Sequence, residues 1–157
     1  MFTLEPITKS TLYIIKEIVN SNMYYNECEN GRPMRTDDEL SEEFNYVNPE
    51  RKTYFIKADD TYIGLVDYLE NNEKDGYPWL GLLMIHGDYH HFGYGTNAYY
   101  FIEEMLIKQG KSKLRLGIFK NNNIAKSFWT KMGYTYYETK CLNKGIVVDC
   151  YEKVLFS

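Results

Sequence analysis

The stretch His90-His91-Phe92-Gly93-Tyr94-Gly95-Thr96 holds the residues best placed to bind an anion. It follows a nearly all-apolar run, Trp79 to Ile85, and precedes residues with helical spacing, so it reads as the turn from a strand into a helix. Two glycines let the main chain approach a ligand closely, and a helix start offers amides without acceptors and a partial positive charge. Such a corner suits a phosphate held by N–H groups rather than by lysines. A lone G-x-G also fits a simple tight turn, so its setting must discriminate. A dinucleotide fingerprint would place three glycines after the first strand of a parallel array, with an acidic residue about 20 positions on. Here the loop comes after three predicted strands. A P-loop needs Lys and Ser/Thr after its last glycine, whereas Gly95 is followed by Thr96-Asn97. Neither nucleotide-binding arrangement fits.

The elements that must position this loop follow from periodicity and turn residues. Thr8 or Ser10 can cap a helix with Leu12, Ile15, Ile18 and Val19 on one face. Tyr24, Tyr25 and Glu27 to Pro33 read as a loop, after which Thr36-Asp37-Asp38-Glu39 has capping-box spacing and starts a second helix. Thr53–Ala58 and Tyr62–Glu70 flank Asp59-Asp60 as a hairpin, and Trp79–Ile85 is the expected central strand. Ala98, Phe101, Ile102, Met105 and Leu106 predict a helix from Thr96 to Gln109, stopped by Gly110. Lys113–Phe119 reads as a strand and Ile124–Met132 as a helix closed by Gly133. Tyr134–Lys140 and Ile146–Leu155 are expected as strands around an Asn143-Lys144-Gly145 turn. The layout is mixed α/β or α+β, with one clear crossover joining Trp79–Ile85 to Lys113–Phe119 as a parallel pair.

At 157 residues the chain is expected to form one domain, residues 1–157. A formal charge of −4 argues against a general nucleic-acid binder, because phosphate backbones are held by excess Lys and Arg. Cys28, Cys141 and Cys150 have no metal-ligand spacing, and no metal site is expected; their odd count fits reduced thiols in the cytoplasm. Neither a secretory signal nor an apolar run of membrane-spanning length is visible, so no membrane partner is expected. The 16 Tyr and 8 Phe make the aromatic share high, which suits a cleft or a thick core.

The glycine loop resembles the diphosphate loop of the GNAT acetyltransferase superfamily, Q/R-x-x-G-x-G/A, in the form His90-x-x-Gly93-x-Gly95. Leu83-Met84-Ile85 resembles the family's apolar triplet, whose main chain pairs with the pantetheine arm like an added strand. Asn122, Ala125, Trp129, Lys131, Gly133 and Tyr134 resemble the second signature, N-x-x-A-x-x-x-Y-x-K-x-G-F. The resemblance implies a mixed, mostly antiparallel sheet of six to seven strands flanked by about four helices and splayed at the parallel pair. It also implies acetyl-CoA as cosubstrate, bound by Leu83 to Ile85, His90 to Thr96, Asn122, Ala125, Trp129 and Lys131. Two residues depart from the pattern. His90 replaces Gln or Arg, a change that main-chain binding should tolerate. Trp129 replaces the Tyr that in many relatives protonates the leaving thiolate, and an indole N–H can only donate a hydrogen bond.

Direct transfer to an amine requires a group to take the amine's proton, and Asp67, Glu70, His86 and Asp88 are candidates. Asp67 shares alternation with Ile63 and Leu65, while Glu70 ends the same strand. Tyr134, Tyr136 and Tyr137 are candidates for the missing acid. In the family the first helices and their connection contribute to the acceptor site, which points to Tyr24, Tyr25, Glu27 and Glu29; Tyr77-Pro78-Trp79 lies beside the central strand. Carboxylates and aromatics suit a cationic amine, with small molecules favoured over proteins. The rival reading is a coenzyme-binding regulatory module of the same fold without the chemistry, which Trp129 supports. Monomer and homodimer are both open.

Overall fold

The computed structural model describes residues 1–142 and 145–156. Its first element is a strand that the periodicity does not announce, β1 (Phe2–Pro6), which pairs antiparallel with β2 (Arg51–Ala58) at one edge of the sheet. Thr8 then opens a single 3₁₀ turn, its amide donating to Thr11 Oγ1 at 2.9 Å, and the chain runs into α1 (Leu12–Asn20). Ile15, Ile18 and Val19 form the buried stripe of α1, as their spacing predicts.

The segment expected as a loop at Tyr24 to Pro33 is instead largely helical: α2 spans Met23–Asn30 and ends at Gly31, whose φ of 77° makes it a left-handed cap. Its sequence is mostly polar and shows no apolar stripe. A side chain holds it in place instead, because the buried Asn26 donates through Nδ2 to the carbonyls of Val19 (3.0 Å) and Pro33 (2.9 Å). The capping box expected at Thr36 is present and starts α3 (Asp37–Phe44), the Glu39 amide donating to Thr36 Oγ1 at 3.2 Å.

The sheet runs in the order β1-β2-β3-β4-β5-β7-β6, with β3 at Thr61–Leu69, β4 at Trp79–Ile85, β5 at Lys113–Phe119, β6 at Thr135–Cys141 and β7 at Val147–Val154. Every neighbouring pair is antiparallel except β4 with β5. The crossover between that pair is α4 (Tyr94–Lys108), and α5 (Asn123–Lys131) follows β5. The expected turn at Asn143-Lys144-Gly145 lies outside the described residues at its first two positions.

Adjacent residues on the middle strands are buried on opposite faces, the period of two expected of a sheet covered on both sides. Phe55, Leu65 and Met84 pack with Ile15, Leu40 and Phe44 beneath α1 and α3. Ile56, Val66 and Ile85 pack with Ile102 and Leu106 of α4 and with Trp129 of α5. The expected shared face of Ile63 and Leu65 is broken, because the ladder slips between Ile56 and Lys57 and leaves Ile63 unpaired; it joins the α4 side while Leu65 joins the α1 side.

The parallel pair is held at its base by Arg115 of β5. Its guanidinium lies between the rings of Tyr77 (4.2 Å) and Tyr137 (4.5 Å) and bonds Asp75 at 3.2 Å and Glu152 at 3.0 Å. Trp79 joins the same cluster by donating its indole N–H to Asp75 at 2.7 Å. A planar fork that bonds at its rim and stacks on both faces is a property of arginine alone. Arg115→Lys is therefore expected to lower stability by about 1–2 kcal/mol, read as a lower urea midpoint; an unchanged midpoint would reduce the cluster to its charge.

Candidate active site

β4 and β5 share only the rungs Trp79 with Arg115 and Leu80 with Leu116. Beyond Leu80 the strands part. At the parting β4 carries a bulge, since Leu80 faces Tyr68 and Leu82 faces Asp67, leaving Gly81 without a partner. The result is a cleft of about 90 Å³ between the main chains of Gly81 to Leu83 and Gly117 to Phe119, closed on one side by Asn122 and Trp129. A free strand edge is normally covered or charged. Inside this cleft it is available for an extended ligand to pair with, the β-augmentation mode.

The loop at the end of β4 is built by several local constraints. The amide of Gly87 donates to Ser21 Oγ at 2.8 Å, and a Cβ on Gly87 would stand 2.9 Å from the Ser21 carbonyl, so only glycine fits. His86 is buried, accepts from the Asp88 amide through Nδ1 at 3.0 Å, and lies 3.4 Å from Glu17 through Nε2, the surroundings of a structural imidazole. His90 turns back through Nε2 to the Ile85 carbonyl at 2.7 Å. His91 and Gly93 both have left-handed backbone, with φ of 69° and 81°. α4 begins at Tyr94, two residues before the expected Thr96, with Gly93 as its cap, so Gly95 lies in the first helical turn. The first bond of that helix runs from the Asn97 amide to the Gly93 carbonyl at 3.1 Å. Among the described residues nothing accepts from the amides of 91 to 96. Gly95 is also packed, its Cβ position being 3.6 Å from Phe128 and 3.9 Å from Ile85. Unpaired amides at a helix start fit a diphosphate.

α2 lies across the open end of the parted strands. Asn22, just before it, donates to the Ile85 carbonyl of β4 at 3.0 Å. From the helix itself Tyr24 donates to the Asn121 carbonyl at 3.4 Å, and the Tyr25 ring packs on Phe119 of β5, 5.7 Å between centroids. Tyr25 and Glu29, one helical turn apart, share a face; Glu27 is exposed.

A second cleft of about 580 Å³ adjoins the first, and Tyr25, Gly81 and Leu82 line both. Its remaining wall carries Glu29, Glu42, Glu43 and Asp67 against a single guanidinium, Arg51. Arg51 grips Asp67 with Nη2 to Oδ2 at 2.7 Å and Nε to Oδ2 at 2.9 Å, and donates from Nη1 to the Glu43 carbonyl at 2.7 Å. Asp67 is thereby committed to Arg51 through both carboxylate oxygens. Glu29 differs. Burial first, then Glu43 and Glu39, push its carboxyl above the ordinary glutamate range, against the pull of Arg35 at 3.1 Å.

The other residues singled out by sequence are dispersed. Glu70 lies just past the end of β3, 4.0 Å from Lys52, and lines neither cleft. Tyr134 is buried with its hydroxyl 3.0 Å from that of Tyr99, and burial pushes its ionisation up, so it belongs to the packing of α4 and α5. Tyr137 stacks on Arg115, Tyr136 is exposed, and Trp79 serves the closed base of the cleft. Trp129 is buried among Tyr99, Phe128 and Tyr134, with ring centroids 4.9–5.3 Å away, and also lines the first cleft. Asn122 caps α5 by accepting from the Ala125 amide at 3.1 Å, and Lys131 is exposed at the end of that helix. Sequence reasoning missed Gly81, Glu42, Glu43 and Arg51. Only a glycine inside an apolar strand run hinted at the first, by its association with bulges. Among the described residues no three His, Cys, Asp or Glu side chains converge as a metal site, and no helix is long and apolar enough to cross a membrane.

A mixed sheet parted at its one parallel pair, with an amide-rich helix start at the parting, defines an acyltransferase of the N-acetyltransferase class. The chain belongs to the acetyltransferase (GNAT) family, whose profile matches residues 15–134. No curated protein sequence matches it. Among solved structures, an acetyltransferase from Thermus thermophilus superposes with a TM-score of 0.82 at 19% identity, covering 98% of this chain and 97% of that one. A spermidine N-acetyltransferase from Vibrio cholerae, in complex with CoA and spermine, gives 0.74 at 16% identity, covering 98% and 95%. The ribosomal-protein-S18-alanine N-acetyltransferase of Escherichia coli gives 0.71 at 12% identity, covering 100% and 96%. At these identities the likeness is one of fold.

The left-handed φ of Gly93 gives a direct test. Gly93→Val is expected to weaken coenzyme A binding at least about tenfold by calorimetry, because a β-branched residue cannot hold that conformation and the loop amides would turn away. Unchanged affinity in a folded variant would remove the loop from the binding site.

Proposed function

We propose that this protein, working as a single domain over residues 1–157, transfers the acetyl group of acetyl-CoA to a primary amine of a small cationic molecule. The observation that carries the reading is the meeting of two unlike clefts at Tyr25, Gly81 and Leu82: one offers unpaired main chain, the other carboxylates. When bound, acetyl-CoA supplies an acetyl group activated as a thioester.

Each end of the site has its own electrostatics. The amides of His91 to Thr96 supply positive partial charge for a diphosphate although the chain carries a formal −4. The free edge of β4 supplies main-chain donors and acceptors to the arm between diphosphate and thioester. The usable stretch is Gly81 to Met84 rather than Leu83 to Ile85, because the Ile85 carbonyl already accepts from His90 and Asn22. An amide on this edge is the donor for the charge that develops on the carbonyl oxygen. In the second cleft Glu29, Glu42 and Glu43 attract an ammonium, and Tyr25 and Tyr46 add aromatic surface.

Glu29 is the carboxylate that takes the proton shed by the attacking amine, since Arg35 bonds only its Oε1 whereas Arg51 holds both oxygens of Asp67. Attack is direct. Cys28, Cys141 and Cys150 line neither cleft, so the site contains no thiol to carry an acetyl group.

An amine panel assayed by release of free coenzyme A should show turnover with small cationic amines and weaker turnover with neutral ones. Tight coenzyme A binding with no turnover on any amine would favour the regulatory module, the reading that Trp129 supports. The pH dependence follows from Glu29, which accepts a proton only when ionised. Because its ionisation is raised, the active form is present above that raised value and lost as pH falls through it. The acid limb of kcat should therefore lie above the ordinary glutamate range, about 4.3. Glu29→Gln is expected to lower kcat by roughly 10²-fold or more and to abolish that limb; a retained limb would assign it to another group.

A further inference from the structure

Resting on the reading above, we propose that the Tyr25 hydroxyl donates a hydrogen bond to the thioester sulfur of the bound acetyl donor and stabilises the thiolate as it leaves. Among the side chains that line the cleft between β4 and β5, Tyr25, Asn122 and Trp129 alone carry an O–H or N–H. Asn122 is fixed to the start of α5 by its side-chain oxygen, and its amide N–H does not reach the second cleft. Trp129 sits among three aromatic rings and does not reach the second cleft. Tyr25 lines both clefts, so its side chain borders the place where donor and acceptor must meet.

The hydroxyl of Tyr25 has no hydrogen-bond partner among the described residues. A hydroxyl with no partner in the protein is free to donate to a ligand in the cleft. Its position is fixed in advance: Asn26 ties α2 to the Val19 and Pro33 carbonyls, Tyr24 ties it to Asn121, and Phe119 packs on the ring. Such anchoring is what a pre-organised donor requires.

The surroundings make Tyr25 a donor rather than an acid. Burial chiefly, then Glu29 on its own helix, Glu43 of α3 and Cys28, push its ionisation up, while Arg35 opposes them. Arg51 and Asp67 face the same cleft as a closed pair, and Glu42 adds negative charge. In the step, the amine nitrogen bonds to the acetyl carbon and the carbon–sulfur bond breaks. The electron pair stays on sulfur as thiolate, the amine's proton passes to Glu29, and Tyr25 keeps its own proton.

Coenzyme A and desulfo-coenzyme A, titrated calorimetrically across about pH 6 to 10, test this without turnover. In the wild-type protein coenzyme A should gain affinity over the desulfo analogue as pH rises, with the bound thiol ionising below its free value of about 8.5. Tyr25→Phe keeps the ring on Phe119 and removes the hydroxyl. It should erase that gain, leave desulfo-coenzyme A binding within about twofold, and lower kcat by roughly 10- to 100-fold with little change in the amine KM. An undiminished gain in Tyr25→Phe overturns the proposal, as does its loss in Trp129→Phe alone, which would assign the bond to the indole. Failure of both ligands to bind the wild-type protein would instead overturn the functional reading on which the proposal rests.

Discussion

The rungs at Trp79 with Arg115 and at Leu80 with Leu116 are the constraint on which the site depends. Had the ladder continued, the backbone groups of Gly81 to Leu83 and Gly117 to Phe119 would be spent on each other. Because it stops, those groups face a cleft, and their cost is offset by what surrounds them. The Arg115 sandwich closes the base, α5 and Trp129 cover one side, and α2 spans the mouth. The Gly81 bulge adds one residue to β4 at the parting. Both ends of the split are tied, the base by Arg115 and the mouth by Asn22 and Tyr24.

Charge is arranged along this opening rather than across the surface. Unpaired amides and a helix start lie at the end of β4, and carboxylates lie beneath α2 and α3. An overall acidic chain thus presents a partly positive corner to an anion and a negative cleft to a cation. The Arg35 cluster with Glu29, Glu39 and Glu43 keeps that negative cleft from repelling itself, since one guanidinium bonds three carboxylates behind its wall.

Much of the fold was legible because the informative residues act locally. The stripe of α1, the Thr36 capping box, the apolar run of β4 and the crossover helix are set by spacing within a few residues. The glycine loop was legible for the same reason: Gly93 is written into the sequence by the φ it must adopt. α2 was not legible, because its stability comes from one buried asparagine reaching carbonyls at Val19 and Pro33 rather than from an apolar stripe. β1 was missed for a related reason, since a short edge strand takes its definition from the neighbour it pairs with.

The sequence by itself determined the class of protein, the order of elements apart from β1 and α2, and the corner suited to a diphosphate, because each rests on near neighbours along the chain. Only the tertiary structure decided which ionisable groups line the two clefts. Asp67 and Tyr134, reasonable by position, are bonded to Arg51 and Tyr99 from distant segments, while Tyr25 and Glu29 are brought to the cleft by a helix with no periodic signature. Whether a carboxylate or hydroxyl is free depends on partners far away in sequence, and that information exists only once the chain has closed on itself.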